Sequence, residues 1–312
     1  MIISASRRTD IPAYFSDWFY NRIKAGEVLV RNPLYTRQVS RINLSPEVVD
    51  CIVFWTKNPK PMLERLDELK DYHFYFQFTL NSYGNDVEAN LPKREIIDTF
   101  RTLSDKIGKE RVIWRYDPIF INEKYTIDCH EESFNKIADA LKGYTEKCII
   151  SFIDFYNNIK SNIKNLGIIE LDNIEKRKIA EKLSKVAFSY GLKMDTCAEN
   201  IKLADLGITH ARCIDDSLIS RITGCPLKAE KDKNQRLACG CVASIDIGLY
   251  NTCRNGCKYC YANHNQNTVK SNYRKYDKNS PLLCSRIEET DKIYERHVES
   301  LKQKQEQIVF GI

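Results

Sequence analysis

No apolar run in the sequence approaches the roughly 18 residues that a membrane-spanning helix requires. The opening Met1-Ile2-Ile3-Ser4-Ala5-Ser6-Arg7-Arg8 is too briefly apolar for the core of a signal peptide. A cytoplasmic protein without a membrane partner is expected. There is no basic arm either: 48 Lys and Arg against 42 Asp and Glu leave a formal charge of +6 that is dispersed along the chain. Nucleic-acid binding is therefore neither excluded nor indicated. No internal repeat or low-complexity tract interrupts the 312 residues, of which 43% are hydrophobic and 11% aromatic. That composition supports one large core, and permits a single α/β barrel or two smaller domains.

Cysteine, in contrast, is abundant. Twelve cysteines in a reducing compartment do not read as a disulfide framework, and metal is the better reading. Cys51, Cys129 and Cys148 are scattered, whereas Cys197, Cys213, Cys225, Cys239, Cys241, Cys253, Cys257 and Cys260 fall within about a fifth of the chain. A purely structural use would have spread them.

Short β-branched or aromatic runs at Ile2–Ser6, Cys51–Trp55, His73–Thr79, Val112–Tyr116, Cys148–Ile153, Leu192–Thr196, His210–Ile214 and Ala243–Ile247 read as buried parallel strands. Between them, Pro61–Lys70, Arg94–Ile107, Glu131–Leu141 and Ile174–Tyr190 carry the spacing of amphipathic helices. Seven or eight β-α units in about 250 residues predict an α/β fold of the full or partial TIM-barrel type rather than a doubly wound sheet. This domain spans 1–263, with an inserted arm at 27–44 that is a candidate lid and a cysteine-rich segment at 197–260. Lys228–Arg236 should be an exposed loop. An extension over 264–312 carries a polar helix near Glu288–Gln305.

The strongest local signal is Cys253-Arg254-Asn255-Gly256-Cys257-Lys258-Tyr259-Cys260, three thiolates spaced C-x3-C-x2-C just after a predicted strand. On a [4Fe–4S] cluster three ligands leave one iron open, whereas a structural site would close its fourth position. The alternative is a zinc site made of these three cysteines with Cys239, Cys241 or His264. The loop resembles that of the radical S-adenosylmethionine enzymes, which share this spacing and an aromatic before the last cysteine, here Tyr259. The resemblance implies that the open iron is chelated by the amino and carboxylate groups of S-adenosylmethionine, with Tyr259 near the adenine. One electron, delivered by a donor such as flavodoxin or ferredoxin, then breaks the S–C5′ bond, and the 5′-deoxyadenosyl radical abstracts a substrate hydrogen.

Longer stretches carry a wider resemblance. Ser4-Ala5-Ser6-Arg7-Arg8-Thr9-Asp10-Ile11-Pro12, Phe54-Trp55-Thr56-Lys57-Asn58-Pro59, Trp114-Arg115-Tyr116-Asp117-Pro118, and Asp246-Ile247-Gly248 running into Cys253–Asn263 look like a bacterial family classed as a domain of unknown function. The cluster loop lies near the C-terminus, whereas radical enzymes carry it after their first strand. A circular permutation would reconcile the two, with Ala243–Ile247 as the usual first strand and Ile2–Ser6 as the second. The Gly-Gly-Glu segment that usually holds the methionine amino group is absent, and Ser6-Arg7-Arg8-Thr9-Asp10 stands in its place, with Asp10 as the candidate contact.

Polar residues collect where the predicted strands stop: Arg7, Asp10, Thr56, Lys57, Asn58, Thr79, Asn81, Arg115, Asp117, Ser151, Asp154, Asp195, Cys197, Glu199, Asp215 and Asp246. In a barrel they face one mouth, although Asp154 and Asp215 also suit helix caps. Arg7, Lys57 and Arg115 are the candidate cations for cofactor or an anionic substrate, with a salt bridge from Arg115 to Asp117 as the plainer reading of that arginine. Cys197, Cys213, Cys239 and Cys241, with Cys225 as a substitute, form a second constellation suited to an auxiliary [4Fe–4S] cluster or zinc, or else serve as small buried hydrophobes. Tyr250, Tyr259 and Tyr261 crowd the loop.

Two functional classes follow. One is a radical enzyme acting on a small molecule, a nucleotide or a peptide. Its loop Gly256-Cys257-Lys258-Tyr259-Cys260-Tyr261 is also similar to that of the spore photoproduct lyases, which implies DNA lesion repair as a minority reading, against which stands the lack of a Lys/Arg stripe with interleaved aromatics. The other is a non-catalytic barrel, stapled by zinc or iron–sulfur, that binds a ligand or partner.

Overall fold

Alternation along five neighbouring strands sorts the side chains into two cores. In the computed structural model, which describes residues 1–89 and 92–303, the strands are β1 (Ile2–Ala5), β2 (Glu27–Arg31), β3 (Gln38–Asn43), β4 (Cys51–Thr56), β5 (Phe74–Thr79), β6 (Val112–Ile119), β7 (Lys147–Phe152), β8 (Lys193–Thr196), β9 (Thr209–His210), β10 (Ile245–Asp246) and β11 (Lys292–Glu295). Ile3, Phe54, Phe76, Trp114 and Ile150 point to one face, where helices Lys93–Ile107, Ile127–Leu141 and Asn173–Ser189 cover them. Their neighbours Ile2, Val53, Tyr75, Ile113 and Ile149 point to the other, against Ile214, Leu218 and Ile219 of the short helix Asp216–Thr223 and its approach. Burial on both faces is what continuous apolar runs in parallel strands require.

The sheet has eight strands in the order β10-β1-β4-β5-β6-β7-β8-β9, all parallel. Taken from β10, the order never reverses, unlike a doubly wound sheet with its switch point. Strands β9 and β10 are its edges. The strand expected at His210–Ile214 forms only over Thr209–His210, because Ala211 to Ile214 turn across the sheet, where Tyr75 Oη and Gln77 Nε2 donate to the Cys213 carbonyl at 2.7 and 2.9 Å. The helix over Asn173–Ser189 begins where the sequence signals it, with a capping box between Asp172 and Glu175.

The expected arm is a hairpin of β2 and β3, and it does not line the pocket described below. The polar helix expected near Glu288–Gln305 is not formed over 288–303, and 304 and 305 lie outside the described residues. There the chain instead adds β11 in parallel to β3, with Lys292 and Arg296 amides donating to Arg37 and Arg41 carbonyls. A polar segment with no apolar stripe to dock gains more from an open strand edge than from a lone helix. A shorter polar helix, Gln266–Tyr273, does form in the extension, and Leu283 and Cys284 beyond it join the main core.

The arm and this tail are clamped by Arg31, whose Nη2 lies 2.7 Å from Asp291 Oδ2. Arg31 and the Glu288 amide hold the Asp291 carboxyl down at about 2. A carboxylate depressed on folding stabilises above its ordinary value near 3.8 and loses that contribution as pH falls toward 2. Hydrogen-exchange protection at β3 and β11, taken relative to the intrinsic rate at each pH, should therefore be full above pH 4 and fall below it, whereas Asp291→Asn should be weakly protected throughout. Equal protection in both proteins at neutral pH would remove the clamp from the account.

Candidate metal and cofactor site

Parallel strands bring their carboxyl ends to one side, and there the chain forms a pocket of about 540 Å³. Both cysteine sets line it, Cys253, Cys257 and Cys260 together with Cys197, Cys213, Cys239 and Cys241, as do Arg7, Asp10, Lys57, Arg115 and Tyr259. Of the remaining strand-end residues, Thr56, Thr79, Asp117, Ser151, Asp154 and Asp246 line it as well. Asn58, Asn81, Asp195, Glu199 and Asp215 do not: Asp195 pairs with Lys147 at 2.8 Å, Glu199 accepts from the Phe152 amide, and Asp215 caps the helix Asp216–Thr223. Cys225 and His264 are also outside the lining. Asn234, Gln235 and Arg236, read from sequence as part of an exposed loop, form one wall.

The three-cysteine loop is held by its own asparagines. Asn263 Oδ1 accepts from the Thr252 and Cys253 amides at 2.8 and 2.9 Å, while Nδ2 donates to the Arg8 carbonyl and approaches Cys260 Sγ at 3.7 Å. Asn255 reaches Asp10 Oδ2 at 3.0 Å and receives Tyr14 Oη at 2.8 Å. All three thiols are free, with Cys253 and Cys257 buried. Burial pushes both thiols up, Cys257 to about 12 against the pull of Lys57.

Asp10 is spent within this frame. Its Oδ1 caps the helix Ile11–Tyr14 through the Ala13 amide, and its Oδ2 accepts from the Lys57 amide at 2.8 Å and from Asn255. Thr9 beside it lines the pocket, and its buried hydroxyl has no partner among the described residues. All three candidate cations have carboxylates of their own, Arg7 with Asp232 at 3.5 Å. Arg115 forms a two-pronged pair with Asp117, the plainer of the two sequence readings, and Lys57 Nζ sits 2.8 Å from Glu88 Oε1. A cation taken out of water needs a counter-charge, and each strand end supplies one.

Glu88 escaped the sequence reading because it lies in the irregular stretch after β5, with no motif around it. It is buried, accepts from Tyr259 Oη and from Asn81 Nδ2 at 3.0 Å, and pairs with Lys57. Burial alone would raise its carboxyl. Lys57 and Lys93 outweigh that and hold it at about 2. Tyr259, the aromatic of the loop, is thereby fixed as a neutral phenol whose ionisation burial opposes.

Asp246, at the end of β10, organises the turn that follows β1. It accepts from Ser4 Oγ and the Arg7 amide, both at 2.8 Å, and from the Gly248 amide at 3.0 Å. Gly248 passes so close to this turn that an added Cβ would lie 2.6 Å from Ser6 Cβ and 3.1 Å from Thr9 Cγ2. Gly248→Ala should cost on the order of 1–3 kcal/mol through overpacking, with Ser6→Gly relieving it. Thermal melting measures the effect, and an unchanged Gly248→Ala protein would show that the two turns are not rigidly opposed.

The second cysteine set forms a chain of sulfur contacts. Cys197 and Cys213 Sγ atoms are 3.2 Å apart, and Cys241 exchanges hydrogen bonds with both Cys213 and Cys239. The contact with Cys241 pulls the Cys239 thiol down to about 7. Among the described residues, no three His, Cys, Asp or Glu side chains gather closely enough to hold a single metal ion.

Fold and site together define an α/β protein built on one eight-stranded parallel sheet, with a cysteine-lined pocket at the carboxyl ends of its strands. The chain belongs to the family described as Domain of unknown function (DUF1848), whose model matches residues 2–262. No curated protein and no solved structure matches it. Among the described residues no helix is long and apolar enough to cross a membrane.

Proposed function

We propose that this protein is a radical S-adenosylmethionine enzyme whose [4Fe–4S] cluster is held by Cys253, Cys257 and Cys260. The observation that carries the reading is the company these thiols keep: three unpaired cysteines on one clamped loop open on a pocket of about 540 Å³ at the carboxyl ends of parallel strands. A cube that offers a separate iron to each thiolate does not require the three sulfurs to meet at one point, as a single ion would. When bound, the cluster would supply the electron that cleaves S-adenosylmethionine at its S–C5′ bond.

The chain's own residues have definable tasks in this reading. Asn263 and Asn255 hold the loop, and Tyr259 offers a fixed ring at the pocket wall where the adenine would lie. We also propose that the sheet corresponds to a circularly permuted TIM-type barrel. The strand leading into the loop, β10, pairs with β1 at one end of the strand order, so that placing it first makes chain order and sheet order agree.

Anaerobic purification with iron quantitation and a reductive assay for 5′-deoxyadenosine tests the proposal. A brown, oxygen-sensitive protein that forms 5′-deoxyadenosine is the expected result. A colourless zinc protein that leaves S-adenosylmethionine intact would overturn it in favour of a metal-stapled, ligand-binding barrel.

A further inference from the structure

We infer that Cys197, Cys213, Cys239 and Cys241 hold a second, four-thiolate metal centre, separate from the three-cysteine loop. Cys197 comes from the end of β8, Cys213 from the turn after β9, and the other two from the segment that precedes β10. These places are separate in sequence, yet Cys197 and Cys213 Sγ lie 3.2 Å apart, Cys241 interacts with the thiols of Cys213 and Cys239, and all four line one pocket. The tetrahedral edge of a zinc site is roughly 3.8 Å, from metal–sulfur bonds of about 2.3 Å. The thiols run in a chain and must close into a cage on binding. Cys239-Gly240-Cys241 already presents two of them on one turn.

Two further features separate this cluster from four small hydrophobes. Polar hydrogens are aimed at the sulfurs: Arg115 Nη1 donates to Cys213 Sγ at 2.8 Å, and the Ile214 amide donates to Cys241 Sγ at 3.4 Å. Such bonds suit the thiolate of a metal ligand better than a neutral thiol. Arginines also stand close by. Arg7, Arg115 and Arg236 line the pocket with these cysteines, each sharing its charge with a carboxylate, Asp232, Asp117 and Asp154 respectively. Four thiolates on a divalent ion leave about two negative charges in a buried place, and these arginines are positioned to offset them. On binding, each thiol releases its proton to solvent as its bond to the metal forms. The donor set is soft, which selects a thiophilic metal, iron in a sulfide cluster or zinc.

The test begins with the variant Cys253→Ala/Cys257→Ala/Cys260→Ala, purified anaerobically. It should retain either about four iron with sulfide or about one zinc per chain, and adding Cys213→Ala/Cys241→Ala should remove that metal. Stripped of metal and given cobalt(II) alone, the first variant should show thiolate-to-cobalt charge-transfer absorption that the second lacks. Alkylation of the native chain before and after chelation, mapped by mass spectrometry, gives an answer that does not depend on any variant folding. There the four cysteines should become reactive only once metal is removed. A first variant without metal and without a cobalt band, or equal alkylation before and after chelation, would overturn the inference. It stands apart from the radical reading: metal in the first variant with no 5′-deoxyadenosine from the native protein would sink only that reading, and the converse only the second centre.

Discussion

Cys257→Ala should reduce 5′-deoxyadenosine formation by more than roughly 100-fold, beyond the 10- to 100-fold losses typical of residues that merely support metal ligands. The thiol is buried and lines the pocket, where burial opposes its ionisation and Lys57 favours it: a neutral thiol gains nothing from that lysine, whereas a thiolate does. If the proposed cluster is held by these three thiols, removing one leaves Cys253 and Cys260 too few ligands to retain it, so iron content and cleavage should fall together. Cys225→Ala is the matched comparison, since Cys225 belongs to the same cysteine-rich segment but lies outside the pocket lining. If the cysteines served only packing, both substitutions would lower stability modestly and leave iron unchanged. Iron analysis of the two variants therefore separates a ligand from a filler without knowledge of the substrate.

The central strands were readable because they are buried on both faces, so that a run such as Cys51–Trp55 is apolar without interruption and Phe74–Thr79 nearly so, and both stand out from the amphipathic helices between them. The gathering of Arg7, Lys57, Arg115 and both cysteine sets at one pocket was legible for the same reason: parallel strands place their carboxyl ends together whatever the intervening sequence. What the pattern could not reveal was pairing. Nothing local to Lys57 announces Glu88, and nothing local to Asp10 announces Asn255, because both contacts cross between loops whose approach depends on the whole sheet. The strand at Lys292–Glu295 was missed for a related reason. Its side chains are all exposed, so no burial pattern marks it, and only the open edge of β3 determines its form.

Glu88→Ala should be the most destabilising single substitution outside the apolar core, on the order of 3–5 kcal/mol, because it strands the Lys57 ammonium in a nearly closed site. The Lys57 side chain is only 13% exposed, so solvent cannot replace the lost carboxylate cheaply. Asn81 and Tyr259 lose an acceptor at the same time. The expected fall in Tm is on the order of 10 °C. Glu88→Gln keeps the shape and an acceptor oxygen but not the charge, and should fall between the two. Pairing Glu88→Leu with Lys57→Met removes both charges and should recover most of the loss, whereas a simple packing role for Glu88 would leave the double variant as unstable as the single. The pH dependence has a definite sign. Because the folded carboxyl is held at about 2, below its ordinary 4.5, its contribution is complete above pH 4.5 and is lost as pH falls toward 2. Melting curves of the native protein should therefore drop through that window more steeply than those of Glu88→Gln, which has no carboxyl to protonate. Since Glu88 also fixes the Tyr259 hydroxyl, the same substitution should loosen the loop between Cys257 and Cys260, and a cluster held there as proposed should be lost from Glu88→Ala faster than from the native chain even at temperatures where both remain folded.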